Sequence, residues 1–246
     1  AETHQRCLAL QAHASEVTAC SFSPDGGRIL SGGGKLDLPG QLMIWDSFTG
    51  EEQLPLHGHE ARVEASSFSP DGRYIVSGSR DGTVRAWDAD SGQQQFCLKA
   101  NPDDTNTCIF SPDGRLVASA SDDNAVTVSD SLTGEQLGFL HTRTPVLRVH
   151  FSPAGTCIAA IDSSGAMYLL RLHGFDLGPP IITAARLWRF DRHAWADVFT
   201  ALCPWHGRRF EETADILGRQ TACPKCGQPL KINGFVCDWS DRGQAQ

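Results

Sequence analysis

The chain of 246 residues has no apolar run approaching the roughly 18 residues that a membrane-crossing helix needs. Its opening, Ala1-Glu2-Thr3-His4-Gln5-Arg6, lacks the layout of a secretory signal and an initiator Met, so the expectation is the C-terminal part of a longer cytoplasmic polypeptide. Positive charge is scarce as well. The formal net charge is −8, with −10 carried by residues 1–180 and +2 by residues 181–246. Wrapping nucleic acid requires cations that neutralise phosphates, which argues against that role for the first 180 residues. There is no phosphate-binding loop and no nucleophile–base pair that occurs only once, so no enzymatic activity is expected. Nor is there a disulfide framework: the nine cysteines are an odd number, and Cys7, Cys20, Cys97, Cys108 and Cys157 lie in or beside apolar runs as small buried residues.

What the chain does contain is repetition. From His59 to Asp88, the turn dipeptides Asp71-Gly72 and Asp81-Gly82 separate short runs rich in β-branched and aromatic residues, and Asp90-Ser91-Gly92 leads into a fourth run. Phe-Ser-Pro recurs at Phe22, Phe68, Phe110 and Phe151, in steps of 46, 42 and 41 residues. The pair closing the third strand recurs as Trp45-Asp46, Trp87-Asp88, Ser129-Asp130 and Leu170-Arg171. A four-strand unit of this period, opened by Gly58-His59 and closed by Trp87-Asp88, resembles the WD40 propeller family.

The resemblance implies an all-β fold: four four-stranded blades, forming a partial propeller or half of a larger ring, followed by a small zinc ribbon. Residues 1–180 are read as WD40 repeats, with an outer strand at 1–10 and blades at about 13–56, 57–98, 101–140 and 142–178. Residues 181–200 are read as a connecting segment and 201–240 as the ribbon. The family pattern also implies a buried hydrogen-bond relay through His59, Ser77, Asp81 and Trp87. Trp donates only and an Asp carboxylate accepts only, so Ser and His can bridge them. His13 and Ser31 repeat the set in blade one, which marks it as scaffold rather than a catalytic triad. Asn101 and Ser129 interrupt it in blade three; Ala160 and Leu170 do so in blade four.

Four blades leave an apolar sheet face at each end. Upstream sequence, a second copy, or closure of the four alone would resolve this. Thr3-His4-Gln5-Arg6-Cys7-Leu8-Ala9-Leu10 parallels Thr49-Gly50-Glu51-Glu52-Gln53-Leu54-Pro55-Leu56, and this outer strand without three predecessors favours blades supplied from upstream. Loops on one rim carry Glu16, Lys35, Arg62, Arg80, Asp104, Asp122 and Arg143. Their mixed signs suit a protein partner, the alternative being a solvated loop surface.

The strongest chemical signal lies in the tail. Cys203-Pro204-Trp205-His206 and Cys223-Pro224-Lys225-Cys226-Gly227 have the spacing of a zinc ribbon. Cys203, His206, Cys223 and Cys226 would give a closed tetrahedral set, hence a structural rather than catalytic zinc. A redox Cys223/Cys226 pair, an iron site, and Cys237 in place of His206 are the alternatives. Trp188 and Trp195 are expected to pack under this module. The motifs T-A-x-R-L-W, C-P-W-x-G-R-x-F and C-P-K-C-G-x-P-L-K-I-N-x-F-V-C-D resemble the C-terminal segment of large bacterial proteins that join WD40 repeats to signalling modules such as nucleotide-binding switch ATPases. The expected function is therefore a non-catalytic interaction or sensor scaffold. The competing reading is nucleic-acid binding through the ribbon, with Arg208, Arg209, Arg219, Lys225 and Lys231 as cations.

Overall fold

The computed structural model describes residue 10 and residues 13–35, 38–98, 104–172, 181–191, 194–202, 204–205, 209–212 and 219–238. Blade one consists of β1 (Val17–Phe22), β2 (Arg28–Gly33), β3 (Gln41–Asp46) and β4 (Glu52–Leu56). Blade two follows as β5 (Val63–Phe68), β6 (Tyr74–Ser79), β7 (Val84–Asp88) and β8 (Gln94–Leu98). Blade three contains β9 (Thr105–Phe110), β10 (Leu116–Ser121), β11 (Ala125–Asp130) and β12 (Gln136–His141). The next sheet has β13 (Val146–Phe151), β14 (Cys157–Asp162) and β15 (Met167–Arg171). In all four, sequential strands pair antiparallel as meanders.

The recurring sequence markers have local causes. In the turn after β5, Ser69 Oγ donates to Asp71 at 2.6 Å and accepts from the Tyr74 N–H at 2.9 Å. Gly72 there has a φ of +74°, a left-handed conformation that glycine adopts without a Cβ penalty. Asn124 replaces that kind of glycine after β10 with a φ of +65°, which asparagine tolerates better than most residues. The Asp of each strand-closing pair caps the next turn. Asp88 accepts from the Ser91 N–H at 2.8 Å and Asp46 from the Thr49 N–H at 2.8 Å. Those backbone bonds hold both carboxyls below the ordinary aspartate value. Arg171 stands at this position in the fourth sheet and cannot accept such bonds.

The core lies between sheets. Leu30, Leu42, Ile44 and Leu56 of blade one pack with Val63, Ile75 and Trp87 of blade two. Val76 and Val84 then meet Cys108, Phe110 and Val117, and Ala118, Val126 and Val128 meet Val146, Val149 and Ile158. The first strands pack in series, β1 on β5, β5 on β9 and β9 on β13. Among the described residues, no contact of comparable extent returns from β13 to β1.

The fourth sheet shows three described strands ending at Arg171, and the rest of the expected blade, within residues 173–180, lies outside the described residues. The segment expected to be a link holds β16 (Ile181–Asp191) and β17 (Ala194–Leu202), two long paired strands. No Gly or Pro occurs between Ile181 and Leu202, so nothing in that stretch forces the extended chain to break. With β18 (Arg209–Glu212), β19 (Gln220–Ala222) and β20 (Pro229–Asp238) they form one sheet in the order β18-β17-β16-β20-β19. Link and tail are therefore continuous. Trp188 pairs with Asp197 and Trp195 with Phe190 in the backbone register of β16 and β17.

Candidate functional site

The relay in blade two has the expected connections. His59 Nε2 lies 2.8 Å from Ser77 Oγ, His59 Nδ1 lies 2.9 Å from Asp81 Oδ2, and Trp87 Nε1 donates to Ser77 Oγ at 2.9 Å. Strand β7 brings Trp87 beside Ser77 of β6, because Ile75 and Trp87 are register partners. Burial raises the Asp81 pKa, but hydrogen bonds from His59, Thr83 and the Glu60 N–H outweigh it and hold the carboxyl well below 3.8. The connectivity is that of a Ser-His-Asp triad, yet Ser77 is 0% exposed and its oxygen is already engaged by an indole. A substrate cannot reach it.

Blade one repeats the arrangement with a substitution that sequence reading missed. His13 Nε2 and Trp45 Nε1 each lie 2.8 Å from Ser31 Oγ, while His13 Nδ1 meets Gln41 Oε1 at 3.1 Å. Gln41 stands four residues before Trp45, at the register position of Thr83, whose Oγ1 lies 3.2 Å from His59 Nδ1, and it takes the Nδ1 contact that Asp81 makes in blade two. In the fourth sheet Asp162 takes over, accepting from Ser164 Oγ at 2.6 Å and from the Tyr168 hydroxyl at 2.9 Å. Those bonds, led by Ser164, lower its pKa. Asn101 lies outside the described residues.

Four of the seven candidate rim residues are joined in one line of charge. Glu16 of blade one meets Arg62 Nη1 at 2.9 Å, and Arg62 reaches Glu64 at 2.7 Å. Glu64 also receives Arg80 Nε, and Arg80 Nη1 continues to Asp104 of blade three at 3.2 Å. The hydrogen bond to Glu64 is the chief cause of a raised Arg80 pKa. Asn106 then bonds Asp122 at 2.6 Å and the Val146 carbonyl at 3.1 Å, which extends the line to the fourth sheet. Lys35 and Arg143 are exposed on their loops. Glu64 and Asn106 were missed, although a signal existed. Thr18, Glu64 and Asn106 occupy the same place in three inner strands, each polar where a neighbouring blade is within reach. Thr18 also bonds the Val63 carbonyl of blade two.

Of the candidate metal ligands, Cys223 and Cys226 are described, while Cys203 and His206 lie outside the described residues. Leu202 pairs with Arg209, joining the end of β17 to the start of β18; Ala222 pairs with Pro229, closing a hairpin around 223–228. Strand β17 runs antiparallel to β16 and β20 runs parallel to it, with Ala185 opposite Thr200 and Ile181 opposite Lys231. The paired ends Leu202/Arg209 and Ala222/Pro229 consequently both lie at the end of the sheet where β16 begins, one on either side of it. The 223–228 turn is tight: Gly227 N–H bonds Cys223 O at 2.8 Å, Cys223 N–H bonds Gln228 O at 2.9 Å, and Gly227 has a φ of +72°. Cys223 is buried and Cys226 exposed. Cys237 stands eight residues beyond Pro229 in β20, roughly 25 Å away along an extended strand.

The WD40 family (WD domain, G-beta repeat) matches residues 4–46, 50–88 and 92–130. No curated protein sequence matches the chain. Among solved structures, the computationally designed Ika8 protein matches with a TM-score of 0.59 and 26% identity, over 68% of this chain and 49% of its own. The chain thus spans about half the length of Ika8. The computationally designed Ika4 protein matches with a TM-score of 0.60 and 26% identity, over 70% of this chain and 100% of its own. Such similarity extends to 1504 solved chains, too many for the fold alone to select a function. The repeated meander, the buried Trp-Ser-His relay and the family match agree: residues 4–46, 50–88 and 92–130 match the WD40 repeat, and a fourth antiparallel sheet continues their stack.

Proposed function

We propose that the chain is a non-catalytic recognition scaffold that docks a protein partner on its blade rim, as the cytoplasmic C-terminal part of a bacterial signalling protein. WD40 repeats generally serve protein–protein interaction. The observation that carries the reading is the rim itself, where Glu16, Arg62, Glu64, Arg80 and Asp104 alternate in sign across three blades. A surface of alternating charge presents no uniform field to a polyanion, but it offers directional donors and acceptors to a protein. The Ser77-His59-Asp81 set and the Ser31-His13 pair of blade one are buried and engaged, so they supply rigidity rather than chemistry. The signalling context rests on the tail motifs, from T-A-x-R-L-W through C-P-K-C-G.

Cys203, His206, Cys223 and Cys226 would hold one structural zinc in the tail. Cys223 and Cys226 lie in the turn that joins β19 to β20, and Cys203 and His206 fall in sequence between the paired ends Leu202 and Arg209; three thiolates and an imidazole suit a four-ligand site. Such a zinc contributes folding free energy to a segment with little core of its own and leaves no open position for catalysis.

The test is capture of partners from extracts of the source organism, with and without nuclease treatment, at low and at raised salt. Stoichiometric retention of a protein by the wild type, lost with Lys35→Glu or Arg143→Glu, is expected. Retention of nucleic acid with a steep salt dependence would instead favour the ribbon's cations as the binding surface.

A further inference from the structure

We infer that two copies of this chain close head to tail into one ring, the fourth sheet of each packing on blade one of the other. Three internal joints define what such a face looks like. On the side turned to the following sheet, Leu42 and Ile44, Val84 and Ala86, and Val126 and Val128 are all buried. The equivalent residues of the fourth sheet are Met167 and Leu169, which are 74% and 75% exposed. They sit opposite Ile161 and Ala159 in the register of β14 and β15, which makes a continuous apolar strip. On the side turned to the preceding sheet, Val63 and Phe68 are 0% and 8% exposed and Thr105 and Phe110 are 0% and 5% exposed. Their equivalents in blade one, Val17 and Phe22, are 49% and 65% exposed. Each end of the stack therefore shows the half of a joint that the other end lacks.

Length selects the occupant. The matched piece of this chain is 100% of Ika4 and 49% of Ika8, so two such pieces equal the length of Ika8. A second copy of this chain supplies the second piece. A head-to-tail contact closes without free ends only if its rotation does, and two equal halves meet that condition.

The mass of the 246-residue chain, measured by light scattering during gel filtration, tests this. Twice the 26.7 kDa chain mass, independent of loading, is expected. A carboxylate buried in an apolar joint is costly. Phe22→Asp and Leu169→Asp should therefore each weaken pairing about a hundredfold or more while leaving the β circular-dichroism spectrum intact. Mixing the two variants should restore dimers, because one of the two joints is then intact. A wild-type monomer at tens of micromolar, growth to open-ended oligomers, or a dimer indifferent to both substitutions would overturn the closed pair.

Discussion

Ser77 Oγ receives the indole N–H of Trp87 at 2.9 Å and stands 2.8 Å from His59 Nε2, inside a sheet where Ser77 is 0% exposed. Ser77→Ala removes the oxygen and leaves two buried ring nitrogens without it. An unsatisfied buried group costs about 1–3 kcal/mol, so this variant should lose roughly that much stability in urea unfolding. Partner binding below the unfolding transition should be unchanged, since no ligand reaches this site.

Asp81 supplies a pH dependence with a definite sign. Its folded-state pKa is depressed below the ordinary aspartate value of 3.8, so its stabilising contribution is complete above about pH 4. The contribution declines as pH falls through the folded-state value, because only the unfolded state takes the proton at first. Asp46 and Asp88, held low by turn N–H groups, add to the same window. Asp81→Asn should flatten the loss of stability between about pH 4 and pH 2 in acid titrations followed by circular dichroism.

Glu64 is the shared acceptor of Arg62 and Arg80, and it couples the rim to blade stability. Its side chain is 15% exposed, so the pairs are better shielded than ordinary surface ion pairs. Glu64→Gln should cost on the order of 1 kcal/mol in low salt, and less in high salt as the remaining charges are screened.

Much of this architecture was legible in the sequence, for identifiable reasons. Phe-Ser-Pro-Asp-Gly marks the turn because the Ser hydroxyl bridges Asp and a later N–H, a local chemistry that any matching sequence must repeat. Gln41 was hidden because it meets His13 from the place that Thr83 holds in blade two, not from the place of Asp81. Glu64 and Asn106 were hidden because a polar residue in an inner strand looks the same whether it meets water or a neighbouring blade. The tail was harder. Its strands β16 and β17 lack the turn residues that punctuate the blades, and the parallel pairing of β16 with β20 joins segments some fifty residues apart.

Metal removal should separate tail from blades. Zinc bound at Cys203, His206, Cys223 and Cys226 predicts about one equivalent of metal per chain, lost in Cys226→Ser. Chelation should abolish protection of amides in residues 219–238 from hydrogen exchange. The amides of β6 and β10 should stay protected, because their burial depends on neighbouring sheets.

Calorimetric titration of the captured protein partner into the chain decides whether the blade rim is the recognition surface. Saturable one-to-one binding per chain is expected, weakened at least about tenfold by Lys35→Glu or Arg143→Glu and unaffected by Ser77→Ala. Affinity indifferent to the rim substitutions but abolished by chelation would contradict recognition at the rim.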